Sequence, residues 1–158
     1  MDVELWLLVA TTTGTGLMAG LFFTFSAFAM QAFDRLPPAQ AIAAMQAINA
    51  AILNPLFFAL FFGTALLSLA LLLLGWQRGD IAGWLMVAGG LLYLAGSIAV
   101  TIWFNVPLNN QLAAFAQPFA DAAQGWHAYR APWSAWNHVR TVGCTIATAS
   151  LALAIALR

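Results

Sequence analysis

The chain has 158 residues, of which 63% are hydrophobic and only 6% are charged, against about 25% charged residues in a typical soluble domain. The basic residues are five arginines, and five acidic residues balance them. This composition argues against a nucleic-acid partner, because phosphate binding needs clustered basic side chains. It predicts one integral membrane domain, residues 1–158, in contact with the lipid bilayer.

The first apolar run covers about residues 5–33, and about 20 apolar residues are enough to cross the hydrocarbon core. The residues before it include Asp2 and Glu4 instead of a basic segment, so we interpret the run as a retained helix and not as a signal peptide. Pro37 and Pro38 follow its end. Residues 39–51 are less apolar and predict an amphipathic or interfacial helix.

Three further spans are predicted, at about residues 56–74, 81–104 and 132–157. Asn54-Pro55 begins the first of them, and Asn105-Val106-Pro107 ends the second. We expect a loop at 108–131, and we expect the last helix to start at Pro132, because proline suits the first helical position. The predicted fold is all-α, an integral membrane four-helix bundle with an extra interfacial helix between spans 1 and 2.

Four spans place both termini on one side of the membrane. The arginines are divided too evenly between the two sides for the positive-inside rule to fix the orientation. We expect a bacterial inner (plasma) membrane location, and a homo-oligomer is compatible with the sequence. On the first helix, small residues share one stripe and predict its packing face, because small side chains let helices approach closely: Thr13, Gly16, Gly20, Thr24 and Ala27.

The last helix carries a polar stripe about 100° wide. The stripe contains Trp133, Asn137, Arg140 and Thr141. An arginine facing lipid at membrane depth costs about 2.5–3.5 kcal/mol even on the lenient insertion scale. We therefore expect this stripe to face the bundle interior or a polar cavity.

Two residues lie just beyond opposite edges of the stripe, Trp136 and His138. Asn105 and Asn109, around Pro107, end the preceding span on the same side of the membrane. We predict that one cavity at a single membrane face is lined by Asn105, Asn109, Asn137, His138 and Arg140. The alternative is that Arg140 extends to the lipid headgroups and that the tryptophans form an interfacial belt.

A haem or metal site is a second alternative. The two histidines, His127 and His138, would lie about 16 Å apart on a continuous helix, although a break at Pro132 would bring them closer. No set of Cys, His and carboxylate residues has metal-ligand spacing, so no cofactor is predicted. A third alternative is a membrane protein that binds a small molecule or joins a larger assembly without catalysing a reaction.

Two motifs carry a family resemblance. The run Asn105-Val-Pro-Leu-Asn109, followed by Trp133-x-x-Trp136-Asn137-His138-Val-Arg140-Thr141, resembles the anthrone-oxygenase-like family of small four-helix membrane proteins, many of them known only as a domain of unknown function. The early run from Gly20 to Ser26 and Asn54-Pro55 also fit. The resemblance covers essentially the whole chain.

The resemblance implies an oxidation of anthrones to anthraquinones by O₂ without flavin, haem or metal. A base removes a proton from the methylene between two aromatic rings, and the carbanion reacts with O₂. The implied catalytic residues are His138 as the base, Arg140 as the partner of the enolate or peroxide charge, and Asn137, which orients the substrate's oxygens. For a small hydrophobic aromatic substrate, the implied binding residues are Asn105, Asn109, Trp133, Trp136 and Thr141.

Overall fold

The computed structural model describes residues 2–115 and 121–158. These residues form five helices: α1 (Val3–Phe33), α2 (Pro38–Ala51), α3 (Pro55–Arg78), α4 (Ile81–Ala113) and α5 (Ala122–Leu157). All except α2 are long and apolar enough to cross a membrane. At 14 residues, α2 is about 21 Å long, shorter than the hydrocarbon core of about 30 Å. The predicted four-helix integral membrane fold with an extra helix is confirmed.

Side-chain caps start three of the helices. The carboxylate or amide oxygens of Asp2, Asn54 and Asp80 accept hydrogen bonds from backbone N–H groups three residues further along. Such caps satisfy N–H groups that have no partner inside the helix. Between α3 and α4, Gly79 has a φ of 71°, a left-handed conformation that glycine adopts without steric cost. Polar residues at the breaks therefore fix where the spans begin.

The chain termini and the α3–α4 turn lie at one end of the bundle, called here the terminal end. Arg158 pairs with Asp2, and Arg78 pairs with Glu4 and Asp80. The side-chain hydrogen bond from Arg78 lowers the pKa of the Asp80 carboxyl. These contacts place both termini on the same side.

In the bundle, α5 packs against α1 and α4, and α3 packs against α4 and α1. The interior near the terminal end is apolar and includes Leu8, Leu71, Met86 and Leu151. The crossing of α4 and α5 is close, because a Cβ built on Gly143 would lie 3.2 Å from the Cα of Gly96. Contact between backbones at this crossing is the geometry that small residues permit in membranes.

At the opposite end, called here the capped end, α2 covers the bundle. Its buried residues form one cluster with the end of α4 and the start of α5. Gln46 of α2 donates hydrogen bonds to the carbonyls of Leu112 and Phe115. Asp34 accepts a hydrogen bond from Trp126 Nε1 at 3.0 Å and pairs with Arg130 at 2.6 Å.

The helix lengths predict that the cap extends beyond the hydrocarbon core of a bilayer. With 24 residues, α3 is about 36 Å long, close to the thickness of the hydrocarbon core. With 36 residues, α5 is about 54 Å long. The additional length lies at the capped end, because the terminal ends of the helices are joined by ion pairs.

Two predicted boundaries are wrong. The last helix begins at Ala122 and not at Pro132, and α4 continues to Ala113 instead of ending at 104. Proline inside a helix costs about 3 kcal/mol, but Trp126, Tyr129 and Trp133 are buried in the cap cluster, and this packing keeps the helix intact. The predicted loop at 108–131 is therefore helical at both ends, and its residues 116–120 lie outside the described part of the chain.

The predicted packing face of the first helix is also wrong. Thr13 and Gly20 are exposed, and the buried face of α1 is formed by Leu8, Thr11, Gly14, Thr15, Met18 and Phe22. The buried face therefore combines large apolar residues with small residues other than those of the predicted stripe.

Candidate functional site

Arg140 lies in the interior of the bundle, with only 6% of its surface exposed. One terminal nitrogen donates to Asn137 Oδ1 at 2.8 Å, and the other donates to Thr101 Oγ1 at 3.3 Å. The guanidinium carbon lies 4.2 Å from the ring centroid of Phe22 and 5.3 Å from that of Trp133. The cation is therefore held by two neutral oxygens and two aromatic rings.

No carboxylate among the described residues pairs with Arg140. The acids at the terminal end pair with Arg78 and Arg158, and Asp34 pairs with Arg130. A buried charge without an opposite charge is costly. An anionic oxygen placed beside Arg140 would remove that cost.

Asn137 holds Arg140 in place and is itself completely buried. Its Nδ2 donates to the carbonyl of Phe22 at 2.9 Å and to Ser26 Oγ at 2.8 Å. The hydroxyls of Ser26 and Thr141 are also hydrogen-bonded, at 2.8 Å. Because Nδ2 is bonded to α1, Oδ1 is left to face the guanidinium, and α1 thus fixes the orientation of Asn137.

Three polar residues of this cluster come from π-helical segments of α1 and α4. Ser26 lies in Phe25–Ala29, and Thr101 and Asn105 lie in Thr101–Asn105. Such segments insert an extra residue into the helical turn and occur often at functional sites. They change which side chains of α1 and α4 face α5.

Three buried polar atoms of this cluster have no hydrogen-bond partner in the described structure. They are Arg140 Nε, Trp133 Nε1 and Asn105 Oδ1. Asn105 uses its other polar atom, because Nδ2 donates to the carbonyl of Trp133 at 3.2 Å. An unsatisfied buried polar group costs about 1–3 kcal/mol. Two donors and one acceptor are therefore available to a ligand or to water.

We call the cluster around Arg140 the arginine site. It consists of Phe22, Ser26, Thr101, Asn105, Trp133, Asn137, Arg140 and Thr141. Five of these residues were predicted from the sequence: Asn105, Trp133, Asn137, Arg140 and Thr141. Asn109 lies one helical turn further out on α4, where its Oδ1 accepts a hydrogen bond from Tyr129 at 2.9 Å.

Besides Asn109, the structure places two more predicted residues outside the arginine site. Trp136 stacks on Phe104 of α4, with ring centroids 3.6 Å apart and an interplanar angle of 11°. His138 is exposed. It follows Asn137 by one residue and precedes Arg140 by two, so it points about 100° and 200° away from them around α5.

His138 lines an open groove of about 430 Å³ between α4 and α5. We call it the α4–α5 groove. Its other lining residues are apolar: Leu92, Gly96, Val139, Val142, Gly143 and Ile146. The groove lies on the outer surface of the bundle, whereas Arg140 is inside.

Four residues at or beside the arginine site were not predicted as site residues from the sequence: Phe22, Ser26, Thr101 and Tyr129. Tyr129 could have been predicted, because it lies four residues before Trp133 on the same helical stripe. It was missed because the predicted loop at 108–131 included it. Phe22 and Ser26 belong to the early run that carried part of the family resemblance. Thr101 had no signal, because its orientation depends on the π-helical segment.

The donor set of the site suits an oxygen anion. Guanidinium, indole, amide and hydroxyl groups surround it, and among residues 2–115 and 121–158 no three His, Cys, Asp or Glu side chains lie together as metal ligands. The two histidines stay about 16 Å apart along α5, because the helix continues through Pro132.

Comparison with known proteins gives one family. The family model of anthrone oxygenase matches residues 53–150. No curated protein and no solved structure matches the chain significantly. The matched region is more than half of the chain and includes Asn105, Asn137 and Arg140. The chain therefore belongs to the anthrone oxygenase family.

Proposed function

We propose that the protein is a membrane oxygenase that uses O₂ to oxidise an anthrone-like or other phenolic aromatic, without a cofactor. The observation that carries this proposal is the environment of Arg140. It is a buried cation that pairs with no carboxylate among the described residues, and it lies against the rings of Phe22 and Trp133. Beside it, the Trp133 indole N–H has no partner within the described part of the chain. A flat aromatic anion would be complementary both to the positive charge of Arg140 and to the rings of Phe22 and Trp133.

The reaction converts a methylene and O₂ into a ketone and water. Loss of a proton gives a carbanion whose charge is delocalised onto the carbonyl and phenol oxygens. The carbanion carbon forms a bond to O₂, the proton returns to give a hydroperoxide, and loss of water leaves the C=O. The methylene carbon is oxidised by four electrons, and the same O₂ accepts all four.

In this proposal Arg140 binds the oxygen on which the negative charge develops, and Trp133 Nε1 donates to the same anion. Asn137 is a positioning residue, because it acts by orienting the guanidinium. Donors placed in advance in a site without water stabilise a developing charge strongly. Arg140 thereby makes the methylene more acidic.

Oxygen uptake with emodin anthrone, measured on protein in phosphatidylcholine nanodiscs, tests the role of Arg140. Removing one donor from an oxyanion site typically lowers kcat by about 10²–10³-fold, and we expect at least this loss for Arg140→Met. The matched control is Arg35→Gln, which changes an exposed arginine at the capped end and should leave kcat unchanged. Equal kcat values for wild type and Arg140→Met, with the variant folded, would refute the role.

A separate test concerns His138, which the resemblance implies is the base. Removal of a general base costs about 10²–10⁴-fold in rate. Because His138 faces away from the arginine site, we expect a much smaller change in kcat for His138→Ala. His127→Ala is the matched control, since it also removes an exposed histidine of α5. A kcat loss of the full size, absent in the control, would restore His138 as the base.

If wild type consumes no O₂ with hydroxyanthrones, the oxygenase proposal fails. A role in binding a small molecule without oxidising it would then be the better account of the arginine site.

A further inference from the structure

We propose that the arginine site selects a substrate that carries a neutral hydroxyl beside its ionised oxygen, and that Asn105 is the residue that recognises this hydroxyl. The aromatic ring and the ionised oxygen at Arg140 come from the proposed function, on which this inference rests. Recognition of a second, neutral oxygen goes beyond it. The substrate class is an aromatic monoanion with two oxygens on one edge of the ring, one ionised and one protonated.

Asn105 presents a fixed hydrogen-bond acceptor. The residue is buried, with 1% of its surface exposed, and its Nδ2 donates to the carbonyl of Trp133 at 3.2 Å. This bond distinguishes the two ends of the amide, because only the nitrogen can donate to a carbonyl. Oδ1 is the other end, and it has no partner among the described residues. The bond to α5 therefore fixes the orientation of an acceptor that is left open.

The open acceptor belongs to the same cluster as the cation. Asn105 lies four residues after Thr101, and both belong to the π-helical segment Thr101–Asn105, so their side chains are close to one face of α4. Thr101 accepts a hydrogen bond from Arg140. Trp133, to which Asn105 is bonded, has its ring centroid 5.3 Å from the guanidinium carbon. Asn105 is thus joined to both sides of the Arg140 environment.

The open groups are of two kinds, and this decides the chemistry of the ligand. Arg140 Nε and Trp133 Nε1 can only donate, whereas Asn105 Oδ1 can only accept. An ionised oxygen satisfies the donors. A second ionised oxygen, or a ring C–H, placed against Oδ1 would leave the acceptor unsatisfied in a buried site, which is costly. A neutral hydroxyl satisfies it.

The same reasoning limits the charge of the bound ligand. Arg140 is the one cation of this cluster, and two oxygen anions side by side would compete for it and repel each other. The second oxygen therefore has to keep its proton, which it donates to Asn105. An ordered water is the competing partner for Oδ1, because a water can also donate to an amide oxygen.

Binding of three anthraquinones to the protein in phosphatidylcholine nanodiscs tests the selection without turnover. 2-Hydroxyanthraquinone supplies the ionised oxygen alone, and 2,3-dihydroxyanthraquinone adds the neighbouring hydroxyl. 2-Hydroxy-3-methoxyanthraquinone keeps that second oxygen and removes its proton. We expect wild type to bind the dihydroxy compound at least about tenfold more tightly than either of the others. Empty nanodiscs give the partition of each compound into lipid.

The visible spectrum identifies the ligand that is bound at the arginine site, because hydroxyanthraquinones absorb at longer wavelength when ionised. We expect wild type to bind the dihydroxy compound with the spectrum of the monoanion. Arg140→Met should lose this long-wavelength component, and any binding that remains then reports a different part of the protein or the lipid.

Asn105→Leu removes the acceptor and keeps a side chain of similar size. We expect this variant to bind the dihydroxy and monohydroxy compounds with affinities within about threefold of each other. The matched control is Asn110→Leu, the same change at an exposed asparagine of α4, which should keep the ratio of wild type. Because the readout is a ratio of two ligands on one variant, a general distortion of the site lowers both affinities and does not imitate the effect.

Equal affinities of wild type for the dihydroxy and monohydroxy compounds would overturn the role of Asn105 and leave water as the partner of Oδ1. This result needs no variant to fold. Absence of the ionised spectrum in wild type, or a hydroxyl preference that persists in Asn105→Leu, would overturn it as well. Oxygen uptake separates the two proposals: hydroxyl selection by a protein that consumes no O₂ with hydroxyanthrones refutes the oxygenase and supports Asn105, and O₂ uptake without selection does the reverse.

Discussion

The bond between Asn137 and Arg140 predicts a strong coupling between two substitutions. In Asn137→Ala, Arg140 loses its 2.8 Å partner and keeps only the 3.3 Å bond to Thr101. The two hydrogen bonds from Nδ2 to α1 are also lost. The remaining guanidinium is then a buried charge with one weak partner.

The expected cost follows from these three bonds. Interhelical hydrogen bonds in membranes contribute about 0.6 kcal/mol each on average, so the two bonds to α1 account for about 1 kcal/mol. A hydrogen bond to a charged group contributes about 1.5–3 kcal/mol. We therefore expect Asn137→Ala to lower the free energy of unfolding by about 3 kcal/mol, most of it from the arginine.

Arg140→Met separates these contributions. The substitution removes the charge and leaves an apolar side chain of similar length, so Asn137→Ala should cost only about 1 kcal/mol when made in the Arg140→Met background. The double-mutant cycle should therefore give a coupling of about 2 kcal/mol.

The cycle is measured as unfolding free energies in mixed detergent micelles at constant composition. Substitutions at independent sites add within about 0.5 kcal/mol. If the two substitutions add to within this limit, Arg140 is not held by Asn137 and the positioning role is refuted.

Two further substitutions test the packing. Gly75→Ala places a Cβ 2.4 Å from the carbonyl oxygen of Gly83, so we expect it to destabilise the packing of α3 against α4 by about 1–3 kcal/mol. The measurement is thermal unfolding. The control is Gly63→Ala, whose added Cβ would have no atom within 4 Å and should not lower the stability. Asp34→Asn removes the ion pair that fastens the cap and should cost about 1 kcal/mol or less. Its effect should appear as faster amide hydrogen exchange in Pro38–Ala51, and unchanged exchange there would show that the apolar cluster alone holds α2.

The spans were predictable because an apolar run of about 20 residues is typical of a transmembrane helix and is uncommon in soluble domains. The polar stripe of α5 was predictable too, because a regular helix repeats every 3.6 residues and an arginine avoids lipid. The same period placed His138 outside the stripe, and the structure agrees, although the family resemblance gave it a role inside the site.

The helix ends and the partners from α1 and α4 were not predictable in the same way. Pro132 looks like a helix start, and only the burial of Trp126 and Tyr129 against α2 shows that the helix continues through it. The π-helical segments that carry Ser26, Thr101 and Asn105 change the helical phase. A stripe drawn at 100° per residue cannot follow such a change. The packing face of α1 was wrong because small residues do not always face inwards.

The division between bundle and cap has a thermodynamic consequence. Helices inside lipid gain no hydrophobic stabilisation from each other, since lipid tails are as apolar as leucine. The cap cluster, built from α2 and the extensions of α4 and α5 beyond the bilayer, excludes water as a soluble core does. Unfolding of the cap cluster should therefore increase the heat capacity, and the stability of the cluster should decrease on cooling. Low temperature should loosen the cover over the arginine site while the spans beneath it stay folded.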